Sequence, residues 1–565
     1  MSLTVDGDSQ ETLSLSPSPV QERFQRCFVT LEAANPCVLA NGTETGPPVM
    51  RAMARQARRH WMLLILLAAG AGLRVVTQLA YRPALLYIDS LKYLTAGLEK
   101  YDPQGYRDFL LTPVLRAGNL ATVAGLQHLL GLAMAIVLYA LLQRHQAPRW
   151  AAALATAPLL LDAYQLQMEQ TIMPDVTFEA LIVAGLAILL WKPRPALHAI
   201  ALGGFVLGMS ATVREVGEIL IVPAVAFCLL AADGWRARLA SGGLLAVSFA
   251  IPVLVYMTYS AAVLHDRFEL SDQGDGVLYG RVAAAADCAA LHIPAAERAV
   301  CPSPRIAASF GVDGLVHNPD SPAYRAPLPA GISHADAAKR LSYAVLEQQP
   351  LQVARAIAGD AAKLFALTRD TAPGDTPISR WQFQTTYPTF PATITLPSAS
   401  ALFRSTGGDG APVAVRPLAA LLRGYQLHGG YTPGPFLLLS LLAGIAGAVA
   451  GRRRNATVAL ACVLITGAGA AVLLGADFYE FSWRYQLPAL VTLPAAGALG
   501  ASVLRARLRP AARRRARLRP AAGRKTAAAS APNPAVTLGR CPASMSNPTS
   551  GPLSPASSTR TPGSG

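Results

Sequence analysis

Long apolar runs separated by short charged joints fill the chain from residue 61 to 262, and again from 434 to 504. A helix needs about 20 largely apolar residues to cross a bilayer. Ten stretches approach that length: 61–80, 119–142, 148–165, 174–191, 197–213, 217–232, 240–262, 434–450, 456–475 and 486–504. The pattern predicts an all-α polytopic membrane protein with about ten transmembrane helices. The joints test that count, because cytoplasmic loops carry an excess of Lys and Arg. "RQARRH", "QRHQAPR", "WKPRP", "DGWRAR" and "GRRRN" fall on the joints of one face. On the other face 162–173 has no Lys or Arg, and 476–485 has only Arg484. An odd number of spans would break this alternation, so both termini are expected in the cytoplasm.

The regions outside the runs divide the chain further. Residues 1–52 are rich in Ser, Pro, Thr and Glu without an apolar period, which predicts a disordered extension. "MARQARRHWMLLILL", from Met53, reads as a natural start with a basic flank, and the run after it as an anchor rather than a cleaved signal. Residues 53–262 then form an N-terminal membrane module, 263–433 an extracytoplasmic domain of mixed or mainly helical structure, and 434–504 the C-terminal transmembrane helices. Residues 505–565 predict a disordered basic cytoplasmic tail. Within the polar domain Val353, Ile357, Ala361, Leu364 and Phe365 recur at helical spacing and predict an amphipathic helix, whereas 371–433, rich in Pro, Gly and Thr, reads as loop.

Composition agrees with the membrane reading: 52% of residues are hydrophobic and 15% charged, against about 25% charged in soluble proteins. The net charge of +16 looks like a nucleic-acid signal until it is located. From Arg505 onward there are 12 Lys or Arg and no acid, and in the first 60 residues six of each sign cancel, which leaves +4 for the membrane-rich middle. No nucleic-acid face is expected. The tail repeats "RARLRPAA" at 505–512 and 515–522, a composition that attracts anionic lipid head groups. Seven cysteines form no metal-like CxxC pair. Cys288 and Cys301 share the long polar segment, and a disulfide between them is expected if that segment lies outside the cell.

Ionisable groups near a membrane are costly, so those that persist carry information. Four joints bring them to one face. Asp89 lies in "YIDSLKYL"; Asp162, Glu169 and Asp175 lie in "LLLDAYQLQMEQTIMPDVTFEAL". Arg214, Glu215 and Glu218 lie in "ATVREVGEIL", and Arg484 in "FYEFSWRYQLPAL". Structural roles compete with chemical ones. Asp175 follows Pro174, where a carboxylate complements a helix N-terminus. Arg214 and Glu218 have the spacing of a pair along one helix. Asp162 can mark the end of the third span, and Arg484 beside Tyr485 can anchor at head-group level.

The early external acid, the acids of the second external loop and the late "RYQLPALVTLP" together resemble the GT-C class of membrane glycosyltransferases. These polyprenyl-phosphate-sugar-dependent enzymes are related to protein mannosyltransferases and aminoarabinose transferases, and residues 61–504 can be laid on their plan. "LLLDAYQLQMEQ" and "YGRVAAAADCAAL" resemble an actinobacterial branch of that class, and the Ala-, Arg- and Pro-rich composition suits a high-GC bacterium. The resemblance implies a GT-C-like fold, Asp89 as general base or acceptor-orienting acid, Glu169 and Asp175 as second-loop acids, and Arg484 near the lipid phosphate. Arg214 is added on physical grounds as a second phosphate-binding cation. Ser90 stands where the class often has a second acid, which weakens a paired-carboxylate metal site there. A divalent metal is left open, and no other cofactor is expected.

The implied partners are a polyprenyl-phosphate-linked sugar, a cell-envelope glycan or protein acceptor, and the lipid bilayer of a bacterial plasma membrane. Such a donor brings its own leaving group. The enzyme must supply a base for the acceptor hydroxyl and positive charge for the departing phosphate. Apolar neighbours predict a raised pKa for Asp89. Two other functions compete. A transporter or lipid-linked sugar flippase would show internal repeats and ionisable groups near the midplane, but the repeats are not evident and the charges lie at span ends. A membrane scaffold would tolerate replacement of every one of these acids.

Overall fold

The computed structural model describes residues 48–518 apart from 96–97, 99–100, 266, 272–273, 391–392, 409 and 452–455. Expectations for 1–47 and 519–565 fall outside the described residues. Helices coincide with all ten predicted spans: α1 (Trp61–Ala80), α2 (Leu120–Arg144), α3 (Arg149–Leu161), α5 (Asp175–Leu190), α6 (Leu197–Val213), α7 (Ile221–Ala231), α8 (Trp235–Ala262), α12 (Gly434–Gly451), α13 (Ala456–Tyr479) and α14 (Pro488–Leu518). Six of them, α1, α2, α8, α12, α13 and the Pro488–Ala506 part of α14, are long and apolar enough to cross a membrane alone; α3 and α6 are shorter apolar helices. The chain is therefore a multi-pass, all-α membrane protein.

The third and sixth spans stop short for local reasons. Asp162 takes an extended backbone and its carboxylate accepts from the Tyr164 amide (3.0 Å), which ends α3 and caps a separate helix, α4 (Ala163–Gln170). A 3-10 turn, Glu215–Leu220, precedes α7. At the chain's ends helix runs past the expected domain boundaries. Residues 48–52 open a helix, Pro48–Arg59, and α14 continues to Leu518. Both stretches are rich in Ala, Arg and Leu or Met, strong helix formers whatever their charge.

The polar segment 263–433 is made of two parts with different cores. Its first part contains α9 (Gly274–Ala285), α10 (Pro304–His317) and α11 (Pro350–Lys363). These pack with His334–Gln348 around Tyr279, Val282, Leu315, Leu341, Val345 and Val353. Cys288 and Cys301 are disulfide-bonded beside this core, their Cα atoms 6.0 Å apart. The amphipathic helix predicted around Val353 is α11, with Val353 and Ala361 buried. The second part joins the membrane module: Trp381, Phe383, Tyr387, Phe403 and Leu422 belong to the same core as α1 to α5. Two short strands tie them, β1 (Tyr81–Arg82) antiparallel to β2 (Val413–Ala414).

The expectation of loop over 371–433 is only partly met, because Leu396–Ser405 and Arg416–Leu427 are helices. Their prolines sit in the first turn, where the missing N–H costs nothing, so Pro marks the start of each helix rather than its absence.

Candidate active site

Two local devices bring the first-loop acid to the second loop. Leu85 donates its N–H to the Gln170 carbonyl and accepts from the Ile172 N–H, both at 3.0 Å. This short parallel bridge sets the 81–89 segment beside the entry to α5. Ser90 is buried, and its Oγ accepts from the Tyr87 amide at 2.9 Å. Where the class often has a second acid, this residue braces the turn that carries Asp89. The short helix Ser90–Leu94 then places Lys92 one turn beyond Asp89.

Arg484 is the hub of the cluster. Its Nη1 donates to Asp89 at 2.6 Å, and its Nε lies 3.1 Å from both oxygens of Asp175. Arg214 also pairs with Asp175, not with Glu218, and its guanidinium lies 4.7 Å from the Tyr485 ring centroid. Lys92 reaches Asp89 at 3.3 Å and Asp102 at 2.6 Å. Asp175 still occupies the first turn of α5, so the helix-dipole role and the pairing role coexist. Asp89, Lys92, Asp102, Arg214 and Arg484 line one cavity of about 450 Å³, which also receives Asp313, Glu480 and the aromatic pair Tyr87 and Trp381, while Asp175 stays buried behind the two arginines it holds. Asp313 comes from α10, which breaks at Gly311 (φ +60°) where the helix crosses Gly374. A Cβ at Gly311 would stand 1.8 Å from the Gly374 carbonyl oxygen, so only glycine fits this crossing.

Electrostatics corrects one expectation. Burial does push the Asp89 carboxyl upward, but Lys92 and Arg484 outweigh it and hold the group well below the usual carboxylate range. The predicted apolar elevation overlooked two cations. Asp102, which shares Lys92, is raised by burial despite that lysine, with the charge of Asp89 adding to the shift. Glu480 is pushed up to about 8 by burial and by the charges of Asp313 and Asp89, against the opposing pull of Arg484. The cavity thus combines a firmly ionised acid, an acid that holds its proton near neutrality, and four cations, Lys92, Arg214, Arg380 and Arg484.

Of the sequence-predicted site residues, Asp89, Asp175, Arg484 and Arg214 converge and Glu169 does not. Glu169 is fully buried, pairs with Arg74 at 2.7 Å and accepts from the His128 Nδ1–H at 2.9 Å. Asp162 is a strut: it holds Arg369 at 2.7 Å and accepts from the Thr432 amide at 2.8 Å. Sequence reasoning missed Lys92, Asp102, Glu480, Arg380 and Trp381. Lys92 was within reach of it, three residues after Asp89 in "YIDSLKYL", and Glu480 lies four before Arg484. "SRW" at 379–381 carried no comparable signal. Among the described residues no three His, Cys, Asp or Glu side chains group as a metal site would need. Asp89 and Asp175 are instead joined through a guanidinium.

Residues 89–265 match the family model described as dolichyl-phosphate-mannose-protein mannosyltransferase. Over that stretch the chain is similar to membrane glycosyltransferases of the GT-C class. The matched stretch is just under a third of the 565 residues and includes Asp89, Asp175 and Arg214, while Arg484 lies beyond it. No curated protein and no solved structure gives a match.

Proposed function

We propose that the 450 Å³ cavity moves a sugar from a polyprenyl-phosphate donor to an acceptor hydroxyl outside the cytoplasm, in the envelope of a bacterial cell. The observation that carries this reading is the bridge from Asp89 through Arg484 to Asp175, which joins the first and second loops to a late arginine. The acceptor oxygen attacks the anomeric carbon while the bond from that carbon to the phosphate oxygen breaks. The bonding pair leaves with the phosphate, the hydroxyl proton passes to Asp89, and a single displacement inverts the centre. Arg484 and Arg214 face the charge that develops on the departing phosphate.

The ion pair with Arg484 that makes Asp89 a weak base favours this scheme. A donor phosphate competes with Asp89 for Arg484. As the guanidinium turns to the phosphate, the cation that depressed Asp89 is drawn away and its basicity rises. Base strength is thereby coupled to donor binding. Glu169 takes no part in the step and acts as a packing charge.

Asp89→Asn is expected to abolish transfer in membranes supplied with a defined polyprenyl-phosphate sugar, while insertion and expression stay normal. Full activity in that variant would sink the assignment of the base.

A further inference from the structure

A second cavity, of about 380 Å³, adjoins the first and shares Tyr87, Arg380 and Trp381 with it. Its walls differ in kind. Arg380 is the one charged residue among its described lining residues, and it already donates to the Tyr87 hydroxyl at 3.2 Å. The rest of the wall is amide, hydroxyl and aromatic, with Gln167, Thr386, Tyr387 and Phe390 among its residues. Tyr87 packs against Trp381 at 4.6 Å and edge-on to Phe390 at 5.0 Å.

Two residues of this wall each bury a polar atom that makes no hydrogen bond. Gln167 is 8% exposed and its Oε1 accepts nothing, although its Nε2 donates to the Arg380 carbonyl at 3.4 Å. Trp381 is 5% exposed and its Nε1–H donates to nothing. Buried polar groups are normally satisfied, so one orphan acceptor and one orphan donor in the same cavity wall ask for a ligand. A hydroxyl is both donor and acceptor and can serve either atom. A ring that carries several hydroxyls around apolar C–H faces also suits the aromatic surfaces. A basic peptide does not, because no carboxylate is among the described lining residues.

We propose that the second cavity is a subsite for a neutral sugar ring of the acceptor, so that the enzyme extends a glycan. This rests on the reading of the first cavity as the transfer site. The donor's sugar stays with its phosphate beside Arg484, and the second cavity, with Arg380 as the one charge among its described lining residues, is left for the acceptor. Tyr87 lies on the shared edge two residues before Asp89, so an acceptor ring seated there is next to the proposed base.

The test uses the full chain in lipid nanodiscs and two readouts. One is donor hydrolysis, the transfer of sugar to water, which needs only the first cavity. The other is calorimetric binding of methyl α-mannoside, methyl α-glucoside and methyl α-arabinofuranoside, with a Ser/Thr-rich peptide for comparison. At least one glycoside should bind without displacing the donor. Gln167→Leu should weaken it about tenfold, the worth of one hydrogen bond to a buried partner, and leave donor hydrolysis unchanged. Thr386→Ala, at an exposed position, should weaken binding several-fold and guards against a folding artefact. Peptide binding in place of glycoside, glycoside binding indifferent to both variants, or competition between glycoside and donor would each overturn the proposal. If the unmodified chain cleaves no polyprenyl-phosphate sugar, the transfer reading fails, and glycoside binding lost in both variants still supports the sugar subsite.

Discussion

Arg74 meets Glu169 at 2.7 Å and Arg484 meets Asp89 at 2.6 Å, yet the two pairs stand in opposite surroundings. The first is sealed. Arg74 also donates to the carbonyls of Gly70, Leu160 and Leu159, and the Glu169 side chain has no exposure at all. Even the facing helix makes room for it, since a Cβ at Gly131 would stand 2.2 Å from Glu169 Oε1. The second pair is open. Asp89 keeps 21% of its side chain exposed, and Lys92, Arg214 and Arg484 line the same cavity. An ion pair by itself does not mark chemistry. What distinguishes the open one is room for a third charge, such as a phosphate, to enter and redistribute the partners.

The largest effect should come from removing the hub of the open pair. Arg484→Ala takes away a donor aimed at developing negative charge, which costs on the order of 10³-fold in kcat. It should do so at near-normal expression, measured as labelled-sugar transfer per unit of purified protein. Loss of protein rather than of turnover would show that Arg484, like Arg74, is a structural strut, and the contrast would collapse.

The reciprocal variant belongs to the sealed pair. Glu169→Ala leaves the Arg74 charge buried without its carboxylate, and breaking such a pair costs about 3–5 kcal/mol. Thermal unfolding in detergent should fall sharply, while the folded fraction, titrated by donor binding, keeps its kcat. A selective loss of kcat at unchanged stability would return Glu169 to the catalytic group in which the family resemblance placed it.

The sequence showed the architecture because membrane spans are written in the length of apolar runs, and the basic joints supply an independent check. It could not separate Glu169 from Asp175. The two lie six residues apart in one polar turn, and the backbone between Gln170 and Pro174 decides which one meets Arg484 and which one Arg74. The environment of Asp89 was equally hidden. Its apolar neighbours are visible in "YIDSLKYL", but Arg484 arrives from 395 positions away. The second cavity is built from Gln167 and from a stretch around Trp381 that reads as loop. Only packing against the membrane core turns that stretch into a wall.

The smallest predicted effect is a stability slope that only the open cluster should produce. Burial, helped by the charges of Asp313 and Asp89, lifts Glu480 from its reference value of 4.5 to about 8. Between those values the folded chain holds a proton that the unfolded chain has released. Linkage then makes stability fall as pH rises through the window and level off above it. The melting temperature in detergent should therefore decline from about 4.5 to about 8, and Glu480→Gln, which cannot ionise, should remove that share of the decline. Across the same window Asp89 stays ionised in the free enzyme, because Lys92 and Arg484 hold it low. The acid limb of kcat/KM, which reports the free enzyme, should accordingly lie below the ordinary carboxylate range. An acid limb at the ordinary carboxylate value, with no change of slope in Glu480→Gln, would mean that the cations of the open cluster do not govern its acids in solution. The difference from the sealed pair would then be one of exposure alone.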